Sequence, residues 1–192
     1  MRPQLRIWLW YSAVVDLLVL DQVTKALARH YLPAGHSIPI IGDDFLRLTH
    51  VLNPGSGFGV RYLDPTVLLI FGWAASAVLA VYLYQLVMRN DPLRLPIALF
   101  LAGAVGNSID RLFFGQVTDF IDMDFPDFIM DRWPVYNVAD SCITVGIVAL
   151  GILVIWGRRR RSSEFPAAFH APTSPSEALP SDHRTGPTTP AN

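Results

Sequence analysis

Hydrophobic positions along the chain gather into four long runs, roughly Ile7 to Leu27, Thr66 to Met88, Leu93 to Phe114 and Val135 to Trp156. Each is close to the ~20 residues that carry a helix across ~30 Å of hydrocarbon. The first run continues into DQVTK without a small-residue cleavage site, so it is expected to stay as a span rather than be removed as a signal peptide. Between the first two runs the period changes from helical to alternating. In Phe45-Leu46-Arg47-Leu48-Thr49-His50-Val51-Leu52, the residues Leu46, Leu48 and Leu52 fall on one face, as in a half-buried strand, and Ser37 to Ile41 offers a partner strand. The NPGSGFG stretch after it cannot be regular helix, because Pro54 and three glycines break it. The link from Met88 to Leu93 is short, which predicts an antiparallel hairpin of the second and third helices. The expected fold is an all-α membrane protein of four transmembrane helices with a small extracytoplasmic β-sheet.

Composition agrees. The 192 residues are 52% hydrophobic and 16% charged, well below the roughly one quarter charged of a soluble domain. A net charge of −1 excludes a nucleic-acid footprint. The single cysteine, Cys142, excludes an intrachain disulfide framework, and the five histidines show no metal-ligand spacing, so no metal and no cofactor is expected. With both termini inside, the inner side holds Arg2, Arg6, Arg89, Arg94 and Arg158 to Arg161 against one acid, Asp91, while aspartates outnumber the cations of the outer loops. That asymmetry predicts an N-in, C-in topology. After the arginine run the chain turns rich in proline, serine and threonine, which divides it into a four-span membrane domain, 1–157, and a disordered cytoplasmic tail, 158–192.

The polar residues inside the runs are the candidate chemistry, since intramembrane ionisable groups face cavities, partners or substrates. Asp21 and Lys25 stand at i and i+4 on one face of the first span. Gly103, Asn107 and Asp110 share a stripe of the third, with Arg111 beside it; Asn137, Asp140 and Thr144 share a face of the fourth. Asp119 lies just beyond the third span. All sit at the outer end of their helices under the topology above, so they converge at one depth. Asp21 with Lys25 could equally be a helix-end ion pair, Asp110 with Arg111 an interfacial pair, Asn107 and Asn137 interhelical bridges, and Gly103 and Gly106 are best read as close-packing positions. Asp140 is harder to dismiss, having no cation within a turn. Cys142 reads as a packing residue. Asp16, deeper in the first span and about 140° around the helix from Asp21, has no account at this level.

Two carboxylates held within a few Å share a proton and can activate a water between them, one as general base and the other as general acid. A proton- or cation-coupled transporter is the alternative, but it needs polar groups through the full thickness of the membrane; a di-aspartate magnesium site needs a phosphate substrate and basic surroundings.

Taken together, DQVTK at 21–25, NPGSGF at 53–58, GAVGNSIDR at 103–111, VTDFID at 117–122 and YNVADS at 136–141 resemble the bacterial lipoprotein signal peptidase (signal peptidase II) family, in order and over roughly Leu5 to Trp156. The resemblance implies a membrane aspartic endopeptidase that removes signal peptides from diacylglyceryl-modified prolipoproteins, cutting before the lipidated cysteine. It implies Asp119 and Asp140 as the catalytic pair, with Asn53, Gly55, Asn107, Asp110, Arg111 and Asn137 orienting the pair and the substrate, and Asp21 and Lys25 as support. Expected partners are prolipoprotein substrates and membrane lipids, without nucleic acid; expected form and place are a monomer in the bacterial cytoplasmic membrane. Either Asp110 or Asp119 could pair with Asp140, and Asp119 is preferred because Arg111 stands next to Asp110 as a counter-ion. The chain departs from the family pattern at Ala102, at Tyr136 and in a long, aspartate-rich segment from Asp122 to Trp133.

Overall fold

The computed structural model describes residues 2–55, 64–124 and 132–163, with side chains as far as 156. Its order is α1 (Pro3–Tyr31), β1 (Ser37–Ile41), β2 (Leu46–Asn53), α2 (Pro65–Arg89), α3 (Arg94–Phe114), β3 (Val117–Met123) and α4 (Val138–Ser163). All four helices are long and apolar enough to span a membrane. Most of the tail, and the centre of the segment between Asp122 and Trp133, lie outside the described residues.

The helix ends follow local chemistry. Asp64 caps α2 by accepting the Thr66 backbone N–H at 2.7 Å, with Pro65 at the first helical position. Asn90 closes α2 in the left-handed region at φ 54°, and the chain turns straight into α3, as the short link predicts. The N-terminal halves of α1 and α3 and the C-terminal half of α2 pack around Val14, Leu83, Val87, Ala98, Leu101 and Ala102. Closeness of α3 to its neighbours depends on glycine: a Cβ on Gly103 would stand 2.5 Å from the Ala139 carbonyl oxygen of α4, and one on Gly106 would stand 2.7 Å from Asp21 Oδ2 of α1 and 3.2 Å from the Ala139 Cβ.

The expected small sheet exists, with three antiparallel strands in the order β1-β2-β3. Its third strand was not expected; Asp119 lies on β3 rather than on a loop. Periodicity missed β3 because Val117 to Phe120 are buried on both faces, so no alternation shows. Nor do Leu46, Leu48 and Leu52 share one face: a register shift between Leu48 and Val51 turns the strand, leaving His50 buried and Leu52 exposed. A small apolar cluster of Ala28, Leu32 and Phe120, with Leu48, Ile121 and Val138 against it, fastens this sheet to the ends of α1 and α4.

Candidate active site

Gly115, at φ 72°, ends α3 and reverses the chain into β3, which brings Asp119 back over the end of the helix it has just left. Two bonds fix that return. Asp110 Oδ2 accepts the Thr118 backbone N–H at 2.8 Å, and Arg29 Nη1 donates to Thr118 Oγ1 at 2.8 Å. On the other side of β3, Tyr136 pairs with Ile121 through N–H···O bonds of 3.0 and 2.8 Å. That bridge delivers the next residue, Asn137, beside Asp119 and makes it the residue before α4.

The start of α4 is capped twice. Asn137 Oδ1 accepts the Asp140 backbone N–H at 3.0 Å, and Asp140 Oδ2 accepts the Asn137 backbone N–H at 3.3 Å, a reciprocal capping box with aspartate in the third position. Asp21 reaches across from α1, and its Oδ1 accepts the Ala139 backbone N–H at 2.9 Å. These bonds satisfy donors that a helix start leaves open. They also place the Asp140 carboxyl at the positive end of the helix dipole.

Around this frame the predicted residues converge. Asn137 Nδ2 lies 2.6 Å from Asp119 Oδ1, and Asn53 Nδ2 lies 2.9 Å from Asp119 Oδ2. Asn107 Nδ2 donates to Asp140 Oδ1 at 2.8 Å, while its Oδ1 accepts from Lys25 Nζ at 3.0 Å and Asn137 Nδ2 at 3.2 Å. Gly55, at φ 117°, donates its N–H to Asn53 Oδ1 at 3.0 Å, which turns the Asn53 amide nitrogen toward Asp119. Beyond Gly55, the rest of NPGSGFG lies outside the described residues. Burial pushes the Asp119 carboxyl up to about 6, and the neighbouring Asp140 charge adds to this against the Asn53 and Asn137 donors and the Lys25 charge.

Beneath the two aspartates is a buried ionic floor. Lys25 is fully buried, with Nζ 2.9 Å from Asp21 Oδ2 and 3.6 Å from Asp110 Oδ2. Arg29 adds a longer contact, 3.5 Å, to Asp110 Oδ1. The counter-ions of Asp110 are therefore Lys25 and Arg29, not Arg111. Successive helical residues point about 100° apart, so Arg111 cannot fold onto Asp110; it sends Nη1 to the Asn107 backbone carbonyl at 3.4 Å. Its Nε is buried without a hydrogen-bond partner among the described residues, and its charge is felt by Asp140, Asp119 and Asp110.

Sequence reading passed over Gln22, Arg29 and Thr118. Gln22 Nε2 bonds Asp21 Oδ2 at 3.0 Å and the Gly106 carbonyl at 3.1 Å, joining α1 to α3. Extending the spacing of Asp21 and Lys25 by four more residues would have reached Arg29. Thr144, on the predicted α4 face, is exposed and bonds only its own helix, with Oγ1 on the Asp140 carbonyl oxygen at 3.0 Å. Asp122 stands apart: its Oδ1 takes Arg132 Nε at 2.8 Å and its Oδ2 takes Thr49 Oγ1 at 2.6 Å. Burial pushes its carboxyl up, but these bonds and the Arg132 and Arg47 charges hold it below the ordinary range.

Comparisons with known proteins agree with one another. The family model described as signal peptidase (SPase) II matches residues 13–156. A lipoprotein signal peptidase of Chlorobaculum tepidum is 41% identical over 143 residues, covering 72% of this chain and 88% of its own length. One from Pelodictyon phaeoclathratiforme is 40% identical over 150 residues, covering 75% and 88%. One from Coxiella burnetii is 37% identical over 147 residues, covering 74% and 86%. A solved bacterial membrane enzyme, determined in meso, superposes with a TM-score of 0.67 at 29% identity over 81% of this chain and 90% of its own.

Proposed function

The chain belongs to the signal peptidase II family, and from that premise we propose that it is an aspartic endopeptidase in which Asp119 and Asp140 activate a water between them. It is a multi-pass membrane peptidase; its substrates, by this reading, are diacylglyceryl-modified prolipoproteins, cut immediately before the lipidated cysteine. The observation that carries the proposal is Asn137, whose side chain and backbone hold both carboxyls at once.

Asp140 takes a proton from the water, whose oxygen attacks the scissile carbonyl carbon. Asp119, with its carboxyl raised to about 6, is suited to hold the proton that goes to the carbonyl oxygen. The tetrahedral centre then collapses: one hydroxyl returns its proton to Asp119 as the C=O bond re-forms, the C–N bond breaks, and the leaving nitrogen takes the proton held by Asp140. Asn53, Asn107 and Asn137 keep the two carboxyls in register, and Gly55 fixes Asn53. Arg111, with an unused Nε, orients the substrate backbone. Asp110, Asp21 and Lys25 form the support.

The polar residues lie at one end of the bundle, beside a sheet that exposes Ile38, Ile40, Ile41 and Phe45. In an N-in, C-in topology that end is extracytoplasmic and the sheet rests its apolar residues on the lipid surface, cradling the peptide while the acyl chains lie between helices. The peptidase domain is 1–157, the tail 158–192 is cytoplasmic, and the membrane is the bacterial cytoplasmic one.

The test is cleavage of a purified diacylglyceryl-modified prolipoprotein by solubilised enzyme, with and without a chelator. Wild type should cut despite the chelator, and Asp119→Asn and Asp140→Asn should fold but not cut. If Asp119→Asn still cuts and Asp110→Asn does not, the pairing is wrong. If wild type leaves the lipidated substrate whole, the peptidase assignment to this substrate fails.

A further inference from the structure

Asn53 reaches Asp119 only because β2 changes faces on the way to it. Arg47 stands opposite Asp122, and Thr49 Oγ1 donates to Asp122 Oδ2 at 2.6 Å, so this part of β2 turns its odd-numbered residues to the Asp122 face. Successive strand residues point to opposite faces, so Asp119, an odd number of positions from Asp122, belongs to the other face. A regular β2 would carry Asn53 to the Asp122 face and set Leu52 beside Asp119. Instead Thr49 and His50 together stand opposite the single residue Phe120, a bulge that shifts the register from Leu48 opposite Ile121 to Val51 opposite Asp119. Past the bulge Asn53 lies on the Asp119 face, with Nδ2 2.9 Å from Asp119 Oδ2, and Leu52 is exposed.

His50 ties this bulge to α1. Its backbone bonds run to the turn after that helix: the N–H donates to the His36 carbonyl at 3.1 Å, and the carbonyl accepts the Gly35 N–H at 2.9 Å. The buried ring sets Nδ1 2.7 Å from the carbonyl oxygen of Leu32, the C-cap of α1; the partner is an acceptor, which assigns the proton to that nitrogen. Nε2 is buried without a hydrogen-bond partner among the described residues, so the ring has a single polar anchor. That anchor satisfies a carbonyl that the helix end leaves open. Leu32 in turn packs with Ala28 and Phe120, the residue facing the bulge. We propose that His50 is a positioning residue for cleavage: by pinning the β2 bulge to the end of α1, it turns Asn53 rather than Leu52 onto Asp119. The proposal rests on the reading of Asp119 as half of the dyad. The rival register is one residue away, and it would offer a buried carboxyl an apolar side chain with no donor.

The experiment compares full-length, detergent-solubilised His50→Leu, His50→Gln, His50→Asn and Asn53→Ala chains with the unsubstituted one. Asparagine sets its amide nitrogen where Nδ1 stands and keeps the donor to Leu32; glutamine sets it where Nε2 stands, and leucine has none. The first readout needs no substrate: the NMR titration of the Asp119 carboxyl carbon, assigned by its loss in Asp119→Asn. The Asn53 donor holds that carboxyl down, so it should titrate higher in Asn53→Ala, higher likewise in His50→Leu and His50→Gln, and unchanged in His50→Asn. Asp140 and Lys25, whose charges also act on Asp119, are the same in every variant. The second readout is cleavage of the lipidated substrate. His50→Leu and His50→Gln should lower kcat about tenfold or more with KM held within about twofold, and His50→Asn should recover it to within about threefold. Adding His50→Leu to Asn53→Ala should cost nothing further, because both act through one contact. If leucine prevents folding, glutamine carries the comparison. A titration unmoved by the loss of the donor, or kcat losses that multiply in the double variant, overturns the proposal and leaves the dyad standing. A titration that moves as expected in a protein that leaves the lipidated substrate whole upholds His50 and fails the peptidase reading instead.

Discussion

Asn137 and Asp140 hold each other across the first turn of α4, the amide oxygen of one accepting the backbone N–H of the other at 3.0 Å and the carboxylate returning the contact at 3.3 Å. The same Asn137 side chain lies 2.6 Å from Asp119. One residue therefore caps the helix and sets the spacing of the carboxyls. Asn137→Ala should destabilise the protein by about 1 kcal/mol for the lost cap and slow cleavage by about a hundredfold through misplacement. Thermal unfolding and kcat on a lipidated substrate read the two effects separately; an unchanged kcat would show that the dyad holds its geometry without the bridge.

Asp119 gives a stability profile with a definite sign. Its carboxyl titrates near 3.8 when free and about 6 in the fold. Between those values the folded chain binds the proton that the unfolded chain has lost, so stability falls as pH rises through this window and levels off above it. The full effect is about 3 kcal/mol. Asp119→Asn removes the titration, so its melting temperature relative to wild type should climb from pH 4 to pH 6 and then stay flat. Cys142, buried and the chain's lone thiol, reports unfolding to a thiol-reactive dye. A flat difference across the whole range would mean that Asp119 is not strained by burial.

Activity should follow the same group with the opposite consequence. A dyad that works with one shared proton loses that proton as Asp119 ionises, so kcat/KM should decline above about pH 6 in the free enzyme. The limb belongs to the pair and is read from kcat/KM, since bound substrate changes the surroundings. A profile rising through that range would place the proton elsewhere.

Ion pairs in this protein should differ sharply in worth. Lys25 is fully buried between Asp21 and Asp110, and Lys25→Met leaves two carboxylates without their cation in a dry interior. Breaking such a pair costs about 3–5 kcal/mol. Arg132, exposed and solvent-screened beside Asp122, should cost far less when changed to alanine. Denaturant or thermal unfolding of the two variants side by side tests the contrast, and equal losses would contradict it.

How much of this was legible depended on whether a residue's neighbours were close in sequence. The four spans, the short α2–α3 link, the first two strands and the gathering of polar residues at one end followed from hydropathy and helical spacing alone. Asp21 with Lys25 was visible as an i, i+4 pair, but its role under α4 was not, because the Ala139 N–H it accepts lies 118 positions away. Strand β3 was hidden by two-sided burial, and Asp110 was assigned to Arg111 because adjacency in sequence stood in for adjacency in space. Asn53 and Gly55 entered only through resemblance; nothing local says that the end of β2 touches Asp119.

The packing of α3 on α4 gives the last expectation. A methyl group at Gly106 would stand 2.7 Å from Asp21 Oδ2 and 3.2 Å from the Ala139 Cβ. The oxygen cannot retreat freely, since Oδ2 holds Lys25 at 2.9 Å and its twin Oδ1 caps Ala139. Moving α4 instead would shift Asn137 and Asp140 together, away from Asn107 and Asp119. Gly106→Ala should therefore destabilise by about 1–3 kcal/mol and also lower kcat, because the strain passes directly into the frame of the dyad. Gly151→Ala, where an added Cβ meets nothing within 4 Å, is the control and should leave both unchanged. If Gly106→Ala loses stability but keeps full kcat, α4 is positioned by its capping bonds alone and not by its contact with α3.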